Sequence, residues 1–106
     1  MEAVAVSEAA GRTGWSARML RYLERAGLVV PSRSSSGYRL YGLRELNQLR
    51  SLAELRRRFG VEIADIVFAA RLRREPALRA AVETWFAANE DALEWEQRKH
   101  ERLLAA

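Results

Sequence analysis

The stretch that decides the fold is residues 13–41, which read TGWSARMLRYLERAGLVVPSRSSSGYRLY. The first half of this stretch predicts a helix of about three turns, because its ends carry residue types that favour helix ends. Ser16 belongs to the residues preferred at a helix N-cap, and Gly27 to those preferred directly after the last turn. These two residues therefore bound the predicted helix.

The predicted helix has an arginine side and an apolar side. At roughly 100° per residue, Arg18, Arg21 and Arg25 fall within an arc of about 60°. The apolar side chains occupy a different arc: Trp15, Met19, Leu20, Leu23 and Ala26. Tyr22 lies at the border, where its ring can pack while its hydroxyl stays in water. One side of the helix can be buried while the other offers guanidinium groups, and such a helix fits the DNA major groove.

The second half of the stretch predicts a β-hairpin. Residues 28–30 and 38–41 are rich in β-formers, and residues 31–37 between them, PSRSSSG, are rich in turn-forming types. Before the arginine-bearing helix, the sequence predicts another helix that is capped by Ser7 and runs until Gly14. The whole pattern predicts a helix-turn-helix with a two-stranded wing beside it.

The sequence after the hairpin predicts core helices. Leucines recur every three residues from Leu43 to Leu55, with Phe59 extending the apolar stripe and Gly60 ending it. A second apolar pattern over residues 61–73 predicts a fourth helix. We therefore expect a mainly α winged helix-turn-helix domain over residues 1–74.

The last part of the chain predicts a dimerisation arm. Pro76 suits the first position of a new helix, and residues 77–105 contain neither Gly nor Pro, which predicts one helix about 45 Å long. We assign residues 75–106 to a long C-terminal dimerisation helix that forms an antiparallel coiled coil. Two apolar stripes compete as its seam, and the candidate dimer residues are Leu78, Val82, Trp85, Ala92 and Trp95.

Composition limits the possible functions. The chain has 106 residues, a net charge of +4, no cysteine and one histidine. Residues 1–58 carry eleven Arg against five Glu, whereas residues 59–106 carry seven Lys and Arg against nine Asp and Glu. The positive field therefore belongs to the first half. Without cysteine, neither a disulfide nor a thiolate metal site can form. No apolar run is long enough for a membrane span. We therefore expect a cytoplasmic, nucleoid-associated protein.

The pattern resembles the MerR family of bacterial transcription regulators over about residues 6–66. The matching positions are Thr13-Gly14, Leu20-Arg21-Tyr22, Glu24, Gly27-Leu28, Pro31, Arg33, Gly37-Tyr38-Arg39-Leu40-Tyr41 and Gly60-Val61-Glu62-Ile63-Ala64-Asp65-Ile66. The spacing between the Leu-Arg pair and the Gly-Tyr-Arg motif is the most specific part of the match. Because cysteines and a large C-terminal domain are lacking, the resemblance is to a short form, and any small-molecule effector stays open.

The resemblance implies a homodimer that binds pseudo-palindromic promoter sites in double-stranded DNA and distorts them, with RNA polymerase as a candidate further partner. By this resemblance the arginine-bearing helix enters the major groove and the wing contacts the flanking backbone. The implied DNA-binding residues are Arg18, Arg21, Tyr22, Arg33, Tyr38 and Arg39. Further candidates at the start and end of the helix are Ser16, Ala17 and Arg25.

Simpler interpretations compete with several of these assignments. The arginine stripe could be a solvated helix face, and the Arg56–Arg58 run could serve only the helix C-terminus rather than form a second phosphate contact. For Trp85 and Trp95 the alternative to the dimer core is an effector pocket. His100, the single histidine, predicts neither a metal site nor catalysis, so we expect no enzyme and no cofactor. Two other functions use the same residues: an architectural, chromosome-organising DNA-binding protein, and an excisionase-like or protein-interaction adaptor.

Overall fold

The computed structural model describes the backbone of residues 2–105, with the side chains of all but residues 91–93, 95, 96 and 103–105. The chain forms two compact units, Met1–Val67 and Phe68–Ala106. The division between them falls inside a helix, whereas the sequence predicted a domain boundary after residue 74. That functional boundary stays a prediction.

The first unit begins with the predicted helix-turn-helix. Helix α1 spans Val6–Thr13 and helix α2 spans Ala17–Arg25. The Ser16 hydroxyl accepts a hydrogen bond from the Met19 amide at 3.1 Å, so the predicted N-cap of α2 is confirmed. Gly27 follows the helix with φ 74°, a left-handed conformation that favours glycine. The cap predicted for α1 is wrong: its N-cap residue is Ala5, without a side-chain hydrogen bond, and Ser7 lies inside the helix.

The predicted hairpin is present, but its first strand lies later in the chain than predicted. Strand β1 is Ser32–Arg33 and strand β2 is Arg39–Leu40, paired antiparallel with Arg33 opposite Arg39. Residues 28–30 are not a strand, because the amides of Leu28 and Val29 donate to the Leu23 carbonyl at the end of α2, at 3.0 and 3.4 Å. The hydrogen bonds that end the helix have therefore outweighed the β propensity of this segment.

A bridge between distant residues anchors the end of the wing. The Val4 amide donates to the Tyr41 carbonyl, and the Tyr41 amide donates to the Val4 carbonyl, both at 2.8 Å. Val4 and Tyr41 are both buried. The backbone that returns from the wing is thus fixed to the segment before α1.

The core of the first unit lies where α1, α2 and the third helix meet. Helix α3 spans Leu43–Phe59, as predicted, and Gly60 ends it with φ 67°. The buried residues of the core are Val4, Ala9, Trp15, Leu20, Leu23, Val29, Tyr41, Leu46, Leu49 and Ile63. Burying each large apolar side chain contributes roughly 1.5–3 kcal/mol, so this cluster holds the unit together.

The leucine stripe of α3 is only partly buried, which corrects the simple prediction. Leu46 and Leu49 are fully buried, but Leu43 is 53% exposed and Leu55 is 38% exposed. A step of three residues turns the helix by about 300°, so positions repeated every three residues drift around the axis. The ends of the stripe therefore leave the buried side. Helix α4 follows at Ile63–Arg74, with Ile63 in the core.

After the end of α4, the second unit contains two helices where the sequence predicted one. Helix α5 spans Pro76–Ala88 and helix α6 spans Glu90–Ala105, with Asn89 between them in a non-helical conformation. The Asn89 side chain donates to the Trp85 carbonyl at 2.8 Å, and its backbone amide bonds the same carbonyl. Asparagine competes with helical hydrogen bonding in this way, so a break is possible without Gly or Pro. The prediction of a single long helix is wrong.

Candidate nucleic-acid interface

Helix α2 exposes its arginines and buries its apolar side. Arg18, Arg21 and Arg25 are exposed, while Leu20 and Leu23 are fully buried. Among the described residues, none of these arginines makes an ion pair or a side-chain hydrogen bond. Because a guanidinium group carries five N–H donors and a fixed charge, the exposed side of α2 is a cationic surface open to phosphates or base edges.

The other candidate residues of α2 differ in accessibility. Ser16 is exposed, but its hydroxyl is engaged as the N-cap. Ala17 and Tyr22 are half-buried. Tyr22 packs against the core from the border of the apolar side, as the sequence predicted. Its contact with DNA stays a prediction.

The wing arginines, by contrast, are held by a carboxylate of α2. Arg39 Nε donates to Glu24 Oε1 at 2.5 Å, and Arg33 Nη2 donates to Glu24 Oε2 at 2.9 Å. We call this group, Glu24 with Arg33 and Arg39, the wing clamp. The sequence pattern assigned no partner to Glu24. Its actual partners lie nine and fifteen residues away, on β1 and β2.

The wing clamp places the hairpin beside the exposed arginines of α2. On the helical wheel Glu24 lies about 60° from Arg21, on the side away from Arg18. Arg33 also donates from Nη1 to the Gly37 carbonyl at 3.1 Å, which ties the clamp to the turn of the wing. Tyr38, on the same hairpin, is 72% exposed. The structure thus gathers cationic and aromatic side chains from α2 and the wing in one region.

Ion pairing and burial shift two pKa values in this region. The hydrogen bond from Arg39 lowers the pKa of Glu24 below its ordinary value of 4.5, with the charges of Arg39 and Arg33 adding to the effect. Burial raises the pKa of Tyr41 above its ordinary value of 10.0. At neutral pH the clamp carboxylate is therefore ionised and the Tyr41 hydroxyl is neutral. That hydroxyl is buried without a hydrogen-bond partner among the described residues.

The three consecutive arginines at the end of α3 make local contacts. Arg56 lies over the Trp15 ring at 5.4 Å from its centroid, and Arg58 lies over the Phe59 ring at 5.2 Å. Arg57 forms an ion pair with Glu54. A surface cleft of about 400 Å³ opens beside Trp15 and Arg56. These contacts favour the interpretation that the run serves the helix end and its neighbours.

The candidate dimer residues are described only in part. Leu78 and Val82 on α5 are half-buried, and Trp85 is 54% exposed. The Trp85 ring contacts Phe86 edge to face with centroids 5.5 Å apart. The side chains of Ala92 and Trp95, also predicted at the seam, lie outside the described residues. All five assignments stay predictions.

Two further kinds of feature bear on function, metal-binding clusters and membrane spans. No group of three or more His, Cys, Asp and Glu side chains among the described residues is arranged to hold a metal ion. No described helix is both long enough and apolar enough to cross a membrane.

Comparison with known families identifies the class of protein. The sequence profile of the MerR HTH family of regulatory proteins matches residues 4–70. This range contains α1, α2, the wing, α3 and most of α4. The chain therefore belongs to the MerR family, whose members are DNA-binding transcriptional regulators rather than enzymes.

Individual relatives agree with this assignment. The chain is similar to the HTH-type regulator TnrA of Bacillus subtilis, with 36% identity over 72 residues that cover 63% of this chain and 64% of TnrA. It is also similar to the HTH-type regulator CueR of Salmonella typhi, with 40% identity over 52 residues, 48% of this chain and 38% of CueR. The matches thus span less than two thirds of either regulator.

Solved structures share the fold over nearly the whole chain. The MerR family regulator HiNmlR, described as lacking the sensor domain and bound to promoter DNA, has a TM-score of 0.55 at 23% identity and covers 97% of this chain and 85% of its own. The N-terminal part of the Bacillus subtilis multidrug transporter activator MtaN has a TM-score of 0.55 at 24% identity, covering 95% and 98%. The winged helix-turn-helix fold predicted from the sequence is confirmed.

Proposed function

We propose that this protein is a homodimeric, sequence-specific regulator that binds a pseudo-palindromic promoter site and holds the DNA in a distorted form. The observation that carries the proposal is the exposed set Arg18, Arg21 and Arg25 on α2, which has no ion pair within the described part of the chain and lies beside the wing clamp. We assign α2 to the major groove and the wing, with Arg33, Tyr38 and Arg39, to the flanking phosphates. Its place of action is the nucleoid in the cytoplasm.

Membership of the MerR family supports the DNA-binding part of this proposal. HiNmlR, which shares the fold, has been solved on promoter DNA. Dimerisation is supported by the aromatic surface of α5, where Trp85 is 54% exposed and Phe86 is 47% exposed. Large exposed aromatic side chains that are adjacent on one helix are typical of a surface that a partner covers.

Selection of DNA from a random-sequence pool tests the proposed specificity. The full chain should enrich a motif with two related half-sites, about one helical turn or a multiple of it apart centre to centre. Footprinting on a natural promoter that contains the motif should then show a bounded protected region. Protection that spreads along unrelated sequences would favour the architectural alternative, and weak, salt-insensitive binding would favour the adaptor.

Sedimentation analysis tests the dimer independently of DNA. The double variant Trp85→Ala/Phe86→Ala should shift the chain towards monomer, because it removes the largest exposed apolar groups of α5. Thr84→Ala, at a neighbouring exposed position, is the matched control and should leave the dimer unchanged. A wild-type chain that is monomeric at all concentrations would contradict the proposed assembly.

Distortion of the site is tested by gel mobility of fragments carrying the selected motif at different positions. A bent complex should migrate most slowly when the motif lies in the middle of the fragment. Mobility that does not depend on the position of the motif would remove DNA bending from the proposal while leaving sequence-specific binding in place.

A further inference from the structure

The wing clamp joins three elements through a single carboxylate. Glu24 lies in the last turn of α2, and its two oxygens accept from Arg39 on β2 and Arg33 on β1. The Glu24 side chain is only 16% exposed, so water competes little for its oxygens. Charge-assisted hydrogen bonds of this kind are stronger than neutral ones. Glu24 therefore helps to hold the hairpin beside α2, in addition to the Val4–Tyr41 bridge at the end of the wing.

Both arginines keep donors for another partner while they are clamped. A guanidinium group has five N–H donors. Within the described residues, side-chain hydrogen bonds engage only Nε of Arg39, and Nη1 and Nη2 of Arg33. Their side chains are 30% and 47% exposed, respectively. Each arginine can therefore contact a phosphate without leaving Glu24.

Holding these arginines in place affects sequence-specific and sequence-independent DNA binding in opposite ways. An arginine fixed in place loses little further rotamer freedom when a phosphate in the right position binds it. The same arginine cannot follow phosphates that lie elsewhere, and the negative charge of Glu24 repels a nearby phosphate unless the free N–H donors of the arginines offset that repulsion. The first effect strengthens binding at a site whose phosphates lie where the arginines are held. The second weakens binding at all other positions along the DNA.

We propose that Glu24 is a positioning residue that determines DNA-binding specificity, by holding Arg33 and Arg39 beside α2 and restraining the wing from sequence-independent phosphate binding. This inference rests on the proposed function, because it concerns the same DNA interface. The carboxylate stays ionised at neutral pH, since the hydrogen bond from Arg39 lowers the pKa of Glu24. At neutral pH the carboxylate therefore carries the negative charge that the two arginines bind.

The test compares binding to two DNA probes by Glu24→Gln, which has nearly the same shape but no charge. The probes are a duplex that the wild-type chain enriches from a random pool and a duplex of the same composition with scrambled sequence. The ratio of the two affinities should fall about tenfold, which corresponds to one charge-assisted contact. The salt dependence on the scrambled duplex should steepen by about 0.9 for each arginine that is released to a phosphate.

Glu8→Gln is the matched control for the change of charge. Glu8 is also paired with an arginine, Arg12, but in an exposed pair within α1. This variant should raise affinity for both duplexes alike and leave their ratio unchanged. A ratio in Glu24→Gln that equals the ratio in Glu8→Gln would overturn the inference.

If Glu24→Gln folds poorly, Glu24→Asp serves as a second variant, and thermal unfolding shows whether each variant is folded. Aspartate keeps the charge but is one methylene shorter, so it cannot span both arginines with the same geometry. The specificity ratio should again fall, now without a change in net charge and in a variant that still unfolds cooperatively on heating. A wild-type ratio in a folded Glu24→Asp variant would contradict the positioning role. Failure of the wild-type chain to enrich any sequence would instead overturn the proposed function itself.

Discussion

Two groups of arginines lie side by side in this protein and differ in how they are held. Arg18, Arg21 and Arg25 on α2 are exposed and make no ion pair or side-chain hydrogen bond with another described residue. Arg33 and Arg39 on the wing share the carboxylate of Glu24. The two groups carry the same kind of charge but differ in their partners within the protein, so charge alone does not predict how each group would contact DNA. We infer that the first group supplies affinity and base contacts, and that the second defines where the wing can lie.

The largest effect is expected from removing an unpaired arginine. Arg21→Ala should weaken binding to the selected duplex by about 10–100-fold, because a base-edge or phosphate contact is lost and no partner among the described residues is disturbed. Arg79→Ala, an exposed arginine on α5, matches the loss of charge and should have a much smaller effect. Binding can be measured by mobility shift. Equal affinities for the two variants would show that α2 does not read DNA.

A charge-conserving substitution separates the two groups more finely. Arg33→Lys should weaken specific binding several-fold, because lysine cannot bridge the Gly37 carbonyl and Glu24 as the guanidinium group does. Arg25→Lys, at an unpaired position, should change affinity by less than about twofold at unchanged charge. Fluorescence anisotropy titration can resolve this difference. Equal affinities of Arg33→Lys and Arg25→Lys would show that the two groups of arginines do not differ in their contribution to specific binding.

The clamp should also be visible in the acid stability of the free protein. Because the pKa of Glu24 is lowered in the folded state, its stabilising contribution is present above the ordinary value of 4.5 and is lost as the pH falls through the lower, folded value. Glu24→Gln lacks this contribution at every pH. Urea unfolding should therefore show that, as the pH falls from about 6 to about 3, the free energy of unfolding decreases more steeply for wild type than for Glu24→Gln. Parallel stability curves for wild type and Glu24→Gln would contradict a lowered pKa of Glu24 in the folded protein.

The smallest effect is expected beside the clamp, at Tyr41. Its hydroxyl is buried without a partner among the described residues, so Tyr41→Phe should leave the free energy of unfolding unchanged or raise it by up to about 1 kcal/mol. Tyr41→Ala is the contrasting control and should cost about 3–5 kcal/mol, because it leaves a cavity in the core. Urea unfolding measures both. A marked loss of stability in Tyr41→Phe would mean that the hydroxyl is hydrogen-bonded.

Much of the fold could be predicted because its boundaries depend on local chemistry. Ser16, Gly27 and Gly60 act within one turn of their own helix ends, and such signals can be recognised in a sequence. The apolar side of α2 was predicted correctly for the same reason, since its residues follow the period of the helix. The MerR resemblance depended on these same local patterns.

The features that were missed depend on distant partners or on competition between local tendencies. The bridge between Val4 and Tyr41 joins residues far apart in sequence, and no local pattern indicates it. The contacts of Glu24 could not be predicted from helix periodicity, because both of its partners lie on the hairpin. The break at Asn89 arises from side-chain and backbone hydrogen bonds to one carbonyl. A prediction based on the absence of Gly and Pro could not include it.

The indole of Trp15 gives this protein an internal optical reporter. Its Nε1 donates to the Leu49 carbonyl at 2.8 Å, and the ring is only 7% exposed, whereas Trp85 is 54% exposed. An indole shielded from water emits at shorter wavelength than one in contact with it. Replacing Trp85 and Trp95 by phenylalanine would leave Trp15, between the helix-turn-helix and α3, as the single tryptophan. Its emission would then follow the folding of the first unit without any attached dye.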